Sequence, residues 1–337
     1  MKPFPRGYAY PVKHDRIKTP LWFNPKRRQP ITPRPSQMTI CIAAIYRHIY
    51  GIDEITKKVT DAGPAIITAS DRMLTVENLG IEYEPFAYKY CHVAKRIMIL
   101  IADNVTVHSQ LLLQCQPEIF PRTDSIAVVE VAELYARSLR EFKAKQAEQF
   151  ALSLYGLTTE AFIEKQKIMH ESIVMQLANQ MQEEESRIKA EALVCGVDED
   201  KTAHIFYVDN HGLVHCYDDV GFATIGMGNN HANHQFMRHG YANTFGYYQA
   251  LMLTYSAKKE AEIAPSVGKA TDMRQITRDG AWNVLDLTMK SLDKCYSEYD
   301  RARTRMEART LEKLMKADKE NIERAQRQRD SGNPTSA

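Results

Sequence analysis

From Thr39 the chain runs Thr-Ile-Cys-Ile-Ala-Ala-Ile-Tyr46, a short apolar, β-branched run of the kind that forms a buried strand. A polar loop with Gly51 and Gly63 follows, then a second strand over 64–71 and a third over 96–102. The third ends at Asp103-Asn104, a pair suited to capping the next helix. Residues 105–116 and 124–150 read as helices, the second with Val128, Val131, Leu134, Tyr135 and Leu139 at helical spacing. Residues 158–190 continue that period through Phe162, Ile168, Met169, Ile173, Met175, Leu177 and Met181, with the methionines as core filler. Strands return at 192–198, 204–209 and 213–217 as a meander of hairpins turning at Asn210-His211-Gly212, and again at 222–226. Helices near 230–239 and 246–262 and a closing strand at 271–276 precede a long charged helix after about 283. Strand and helix blocks segregated in this way predict antiparallel sheets with helices layered outside them, an α+β chain.

The 337 residues, 44% hydrophobic and 26% charged, have the profile of a soluble globular chain, and a net charge of +2 pushes it toward neither nucleic acid nor membrane. No apolar run approaches the roughly 20 residues that span a bilayer. The charge is uneven, because residues 1–38 hold eight of the fourteen prolines and nine Lys/Arg against the single acid Asp15. Prolines this dense break helix and strand, so 1–38 is expected to be disordered or extended, as a propeptide, a basic tail or a stretch ahead of a true start at Met38. Six cysteines (41, 91, 115, 195, 216, 295) form no CxxC pair, which fits a reducing cytoplasm. The predicted organisation is therefore an extension over 1–38, one domain over 39–282, and a charged helix with its tail over 283–337.

Several blocks, in order, resemble the proteasome β-subunit and the peptidase subunit of its bacterial ATP-dependent relatives. They are Met38-Thr-Ile-Cys-Ile-Ala-Ala44, Ala69-Ser-Asp-Arg-Met73 and Glu84-Pro-Phe-Ala-Tyr-Lys89 with the apolar strand after it. Next come Gly196-Val-Asp198, Tyr207-Val-Asp209 and Gly212, then Ala223-Thr-Ile-Gly-Met-Gly228 with Ala232. The last is Ala257 to Gly268 with Thr271-Asp272. The likeness is greater still to an uncharacterised bacterial branch whose proteins begin Met-Thr-Val-Cys-Ile-Ala-Ala, and it spans about residues 38–278. It implies a four-layer α-β-β-α Ntn-hydrolase sandwich of two antiparallel sheets flanked by helices. It also implies a threonine-type peptidase in a self-compartmentalised homo-oligomeric ring, acting on peptide or protein substrates, with an ATPase as candidate partner and no cofactor.

In such enzymes the first residue of the mature chain is the nucleophile and its own α-amino group the base. A neutral hydroxyl needs a base within hydrogen-bond reach, and an α-amine is poised for that near neutral pH. The resemblance makes Thr39 the nucleophile, Lys89 the positive charge beside it, and Asp71 the carboxylate that holds the lysine. Thr39 can act so only when residues 1–38 are absent. Methionine before threonine fits an aminopeptidase-trimmed start at Met38 better than self-cleavage. Outside the resemblance, an Asp and a Lys at strand ends make an ordinary ion pair.

Three positions depart from the family. Met227 stands where it has serine, the glycine whose N–H serves the oxyanion hole becomes Ala102 or Asp103, and the loop Pro265-Ser-Val-Gly268 lacks its Asp and Ser, with Ser266 a partial stand-in. These departures raise the alternative of a catalytically inactive ring or scaffold subunit. Cys41 is a rival nucleophile but sits mid-strand, as buried cysteines do. His204, His211, His215, His231 and His234 cluster in sequence without completing a metal-ligand set. The mixed charges of 301–330 describe a solvated helix face or a coiled-coil partner, which leaves nucleic-acid binding weak.

Overall fold

The computed structural model describes residues 39–76, 81–83, 88–265 and 267–331. The expected extension over 1–38, the stretch 84–87 of the matching block and Ser266 lie outside the described residues.

The first strands are β1 (Cys41–Ile52), β2 (Val59–Ser70), β3 (Leu74–Val76), β4 (Ile81–Tyr83), β5 (Tyr90–Ala94) and β6 (Ile97–Asp103). Helices α1 (Val105–Ile119), α2 (Val128–Ala151), α3 (Thr159–Lys165) and α4 (Glu171–Arg187) follow. Strands β7 (Ala190–Val197), β8 (Ala203–Val208), β9 (Val214–Cys216) and β10 (Phe222–Ile225) lead to α5 (Asn229–Arg238) and α6 (Tyr247–Ala261). The chain closes with β11 (Asp272–Thr277), β12 (Gly280–Asn283) and α7 (Asp286–Ser331). The result is a mixed α+β chain with two antiparallel five-stranded sheets, ordered β10-β1-β2-β11-β12 and β5-β6-β7-β8-β9, beside the small β3-β4 pair.

The unbroken apolar runs of β1 and β6 arise because both faces of each strand are covered. Successive side chains point to opposite sides. Ile40, Ile42, Ala44 and Tyr46 therefore join a cluster with α5 and α6, while Cys41, Ala43 and Ile45 join another with Met98, Leu100, Leu193 and Ile205 of the second sheet. On β6, Ile97, Ile99 and Ile101 turn instead to Val107, Leu111, Val131 and Tyr135 of α1 and α2. One apolar cluster thus lies between the sheets and one on the outer side of each, an arrangement compatible with a sandwich.

Local signals set several boundaries. Asn104 caps α1, its side chain accepting from the N–H groups of Thr106 and Val107. Ala127 before α2 has no capping side chain, and the Val128 N–H is met instead by Asp198 Oδ1 at 2.9 Å, from the turn after β7.

Four expectations need correction. The 51–63 loop is largely strand, because β1 and β2 pair from Cys41↔Ser70 out to Ile52↔Val59. The helix expected over 158–190 is two helices, separated where Met169 is extended and His170 caps α4 through the Ser172 N–H. Its apolar stripe does not face one core: Phe162 and Leu177 are buried, while Ile168 is 84% exposed. The strand over 271–276 is not the last, since β12 pairs with it through a tight turn. Finally, α7 is not wholly free: Leu292 is buried in the α5–α6 cluster, and Arg303 bonds Glu260 of α6 at 2.6 Å.

Candidate active site

Thr39 lies two residues ahead of β1, Asp71 one residue past β2, and Lys89 one residue ahead of β5. The β1–β2 register, Cys41↔Ser70, brings the first two together. Ile40 N–H donates to Asp71 Oδ1 at 3.0 Å, and Asp71 N–H returns a bond to Ile40 O at 3.2 Å. Lys89 arrives from the other sheet, anchored there by Ile101 N–H on its carbonyl at 2.9 Å. All three side chains are buried.

The three meet at one oxygen. Thr39 Oγ1 donates to Asp71 Oδ1 at 2.6 Å, Lys89 Nζ reaches the same Oδ1 at 3.0 Å, and Lys89 Nζ also donates to Thr39 Oγ1. The second carboxylate oxygen accepts from Met73 N–H at 3.1 Å and Gly268 N–H at 2.9 Å. With five donors on one buried carboxylate, Asp71 is the hub that fixes the hydroxyl, the ammonium and three backbone segments. A hydroxyl held between an ammonium and a carboxylate is oriented for nucleophilic attack once a base takes its proton.

Three supports around this hub have no role assigned by the sequence, although Gly226 and Lys258 fall inside the resembling blocks. Gly226 has φ +93°, and a Cβ there would lie 2.4 Å from Thr39 O, so only glycine lets the β10 end pass the Thr39 backbone. Lys258 of α6 is fully buried, and its ammonium bonds Glu262 Oε1 at 2.6 Å, Gly268 O at 2.8 Å and Lys269 O at 3.1 Å. It therefore holds the loop whose Gly268 N–H reaches Asp71, and burial pushes its pKa below the usual lysine range. Glu191 on β7 accepts from Tyr207 Oη at 2.9 Å and Asn210 Nδ2 at 3.1 Å; burial raises its pKa, against a bond from the Gly226 N–H.

The other sequence candidates fall as follows. Cys41 donates to Ile101 O at 3.4 Å, and burial pushes its thiol up to about 12, which leaves no thiolate for attack. Met227 packs on the α5–α6 cluster. Between Ala102 and Asp103, the chain turns at Asp103, whose φ of +77° is the left-handed region that favours glycine. His204 sits 2.6 Å from Asp218 Oδ2 and 3.6 Å from Asp198 Oδ2, and His215 lies 3.2 Å from Asp209 Oδ2, so these two pair with nearby acids. His211, His231 and His234 are exposed. Among the described residues no three His, Cys, Asp or Glu side chains are grouped to hold a metal ion.

No protein-family model matches the chain, and no curated protein is significantly similar to it. Among the described residues no helix is long and apolar enough to cross a membrane.

Proposed function

We propose that the chain is an N-terminal-nucleophile threonine hydrolase, a peptidase acting on peptide or protein substrates, built as a four-layer α-β-β-α sandwich of the proteasome β-subunit type. The observation that carries this reading is the Thr39 hydroxyl held between Lys89 Nζ and Asp71 Oδ1, three side chains drawn from three strand ends. In the mature chain Thr39 is the first residue and its α-amine is free. That amine takes the hydroxyl proton as Oγ1 attacks the scissile carbonyl, and the carbonyl π electrons move to its oxygen. Collapse of the adduct expels the amine leaving group, which takes the proton from the α-ammonium, and leaves an ester on Thr39. Water, deprotonated by the same α-amine, then hydrolyses that ester. Lys89 keeps positive charge beside the hydroxyl throughout, and Asp71 keeps Lys89 in place.

Self-assembly into a ring, with an ATPase partner as feeder, belongs to the same proposal. Its support is apolar surface on the α2–α4 side, where Leu154, Ile163, Ile168 and Met175 are exposed. A second reading, an inactive ring or scaffold subunit, is favoured by Met227, whose apolar side chain packs inward and offers no hydroxyl.

The test begins with intact mass and N-terminal sequencing of the protein from its own cells. A mature chain starting at Thr39 supports the hydrolase, and an intact start at Met1 favours the scaffold. In a chain beginning at Met38, Thr39→Ala should cut peptide hydrolysis on the order of 10^4-fold or more without changing assembly. Undiminished turnover in that variant would remove Thr39 from the mechanism.

A further inference from the structure

Helices α5, α6 and α7 border a cavity of about 460 Å³, and none of its lining residues belongs to the Asp71 hub. Phe245, Tyr248, Met252, Leu253 and Tyr299 make its walls mainly apolar and aromatic. The volume falls in the range of small-molecule sites, about 300–1,000 Å³. The α7 wall is fixed on both sides of Tyr299, by Leu292 buried in the α5–α6 cluster and by Arg303 bonded to Glu260 at 2.6 Å.

Two buried polar side chains line this cavity without partners. Gln235 of α5 is 7% exposed and Ser256 of α6 is 8% exposed. Among the described residues, neither the Gln235 amide nor the Ser256 hydroxyl makes a hydrogen bond. A buried amide left unmet destabilises the protein that carries it, so its presence calls for an explanation. A third polar group stands beside them: Gln249 accepts the Gly246 N–H on Oε1 at 3.2 Å, and its NH2 is unbonded among the described residues.

The cavity offers these groups but no free charge. No Lys or Arg lines it, and its one acid, Glu260, is met by Arg303 and by the Tyr296 hydroxyl at 3.5 Å. An anion therefore finds no cation there, and a cation would have to compete with Arg303. A carboxamide has acceptor and donor side by side, and what matches it is another N–H beside a C=O. The walls match an aromatic or branched aliphatic body.

We propose that this cavity is a binding site for a small uncharged molecule that joins such an apolar body to an amide or lactam edge, with Gln235 reading that edge and Ser256 assisting. The inference does not depend on the hydrolase reading.

The test titrates the full chain with three probes of one shape, hydrocinnamamide, hydrocinnamate and benzylacetone, followed by ligand-observed NMR. Hydrocinnamamide should bind saturably, about tenfold more tightly than the ketone, which lacks the N–H, and than the carboxylate, which is charged. Gln235→Met keeps the length of the side chain and removes its amide. It should weaken hydrocinnamamide about tenfold, to the level of the ketone. The same variant, without ligand, should melt at or above the temperature of wild type, because no hydrogen bond is lost. A glutamine kept for structure would lower that temperature instead. The proposal is overturned by a wild-type chain that does not bind hydrocinnamamide, or that binds all three probes equally. It is overturned equally by a Gln235→Met chain that keeps the preference for the amide, melts lower than wild type or fails to fold.

Discussion

Replacing Asp71 with Asn keeps the shape and exchanges one acceptor oxygen for an NH2 group. Asp71 Oδ1 takes Thr39 Oγ1, Ile40 N–H and Lys89 Nζ, and Oδ2 takes the N–H groups of Met73 and Gly268. The amide therefore aims donors at donors whichever way it sits. The milder orientation strands two backbone N–H groups, at about 1–3 kcal/mol each. It also removes the negative charge beside a lysine that is only 3% exposed, and breaking a buried pair costs about 3–5 kcal/mol. These terms overlap, so we expect about 4 kcal/mol in total. Lys89→Met should cost less, because the carboxylate keeps its three backbone donors. The double variant should cost less than the sum of the two, since each single change leaves a partner stranded. Urea titrations followed by circular dichroism on chains starting at Met38 give all four corners of the cycle. A D71N loss within about 0.5 kcal/mol of wild type, the range of an ordinary surface change, would refute Asp71 as the hub.

Three further outcomes follow from the supports. Gly226→Ala puts a Cβ 2.4 Å from Thr39 O at φ +93°, so it should destabilise by about 2–4 kcal/mol and shift the Thr39 amide resonance, while unchanged stability and spectrum would mean that the close approach does not exist. Lys258→Met removes the ammonium from Gly268 O and Lys269 O; the Gly268 amide should then exchange with solvent at least about tenfold faster, and unchanged protection would show that the loop is held otherwise. His108, fully buried on α1 with its ring nitrogens against Ala102 O and the Tyr135 hydroxyl, has its pKa lowered by burial from the ordinary 6.5 to about 4, so the unfolded state binds the proton first as pH falls. Stability is full above about 6.5 and drops by about 3 kcal/mol as pH falls through 4, a loss that His108→Phe should abolish.

What could be read from the sequence was what is continuous along it. Thr39 to Tyr46 and Arg96 to Ala102 announce themselves because strands covered on both faces leave no polar alternation, and Asn104 announces α1 because a cap acts within three residues. Only the resemblance singles out Thr39, Asp71 and Lys89 together, since nothing in an Asp at one strand end and a Lys at another says that they share a hydroxyl. The misses have a common cause. β1 and β2 extend through polar residues because a hairpin, once in register, continues on backbone bonds that no side chain advertises. The chain breaks at 166–170 despite an unbroken apolar period because Ile168 has no core to face.

The supports of the site lie furthest from sequence reasoning, and they also change its meaning. Set against the family it resembles, the loop 265–268 offers only Ser266 as a polar side chain and position 227 offers no hydroxyl, which argues for a dead site. In three dimensions the loop instead gives Asp71 a backbone N–H, and a buried lysine one helix away holds that backbone by two carbonyls. A buried cation costs several kcal/mol unless its partners repay it, and an inert surface loop would not need one. Nearby, buried His108 holds the carbonyl of Ala102, at the end of the strand that leads to the left-handed turn at Asp103. Lys258 thus fixes the backbone that in turn fixes the Asp71 carboxylate, and the same carboxylate holds the Thr39 hydroxyl, which is the support the proposed hydrolase needs.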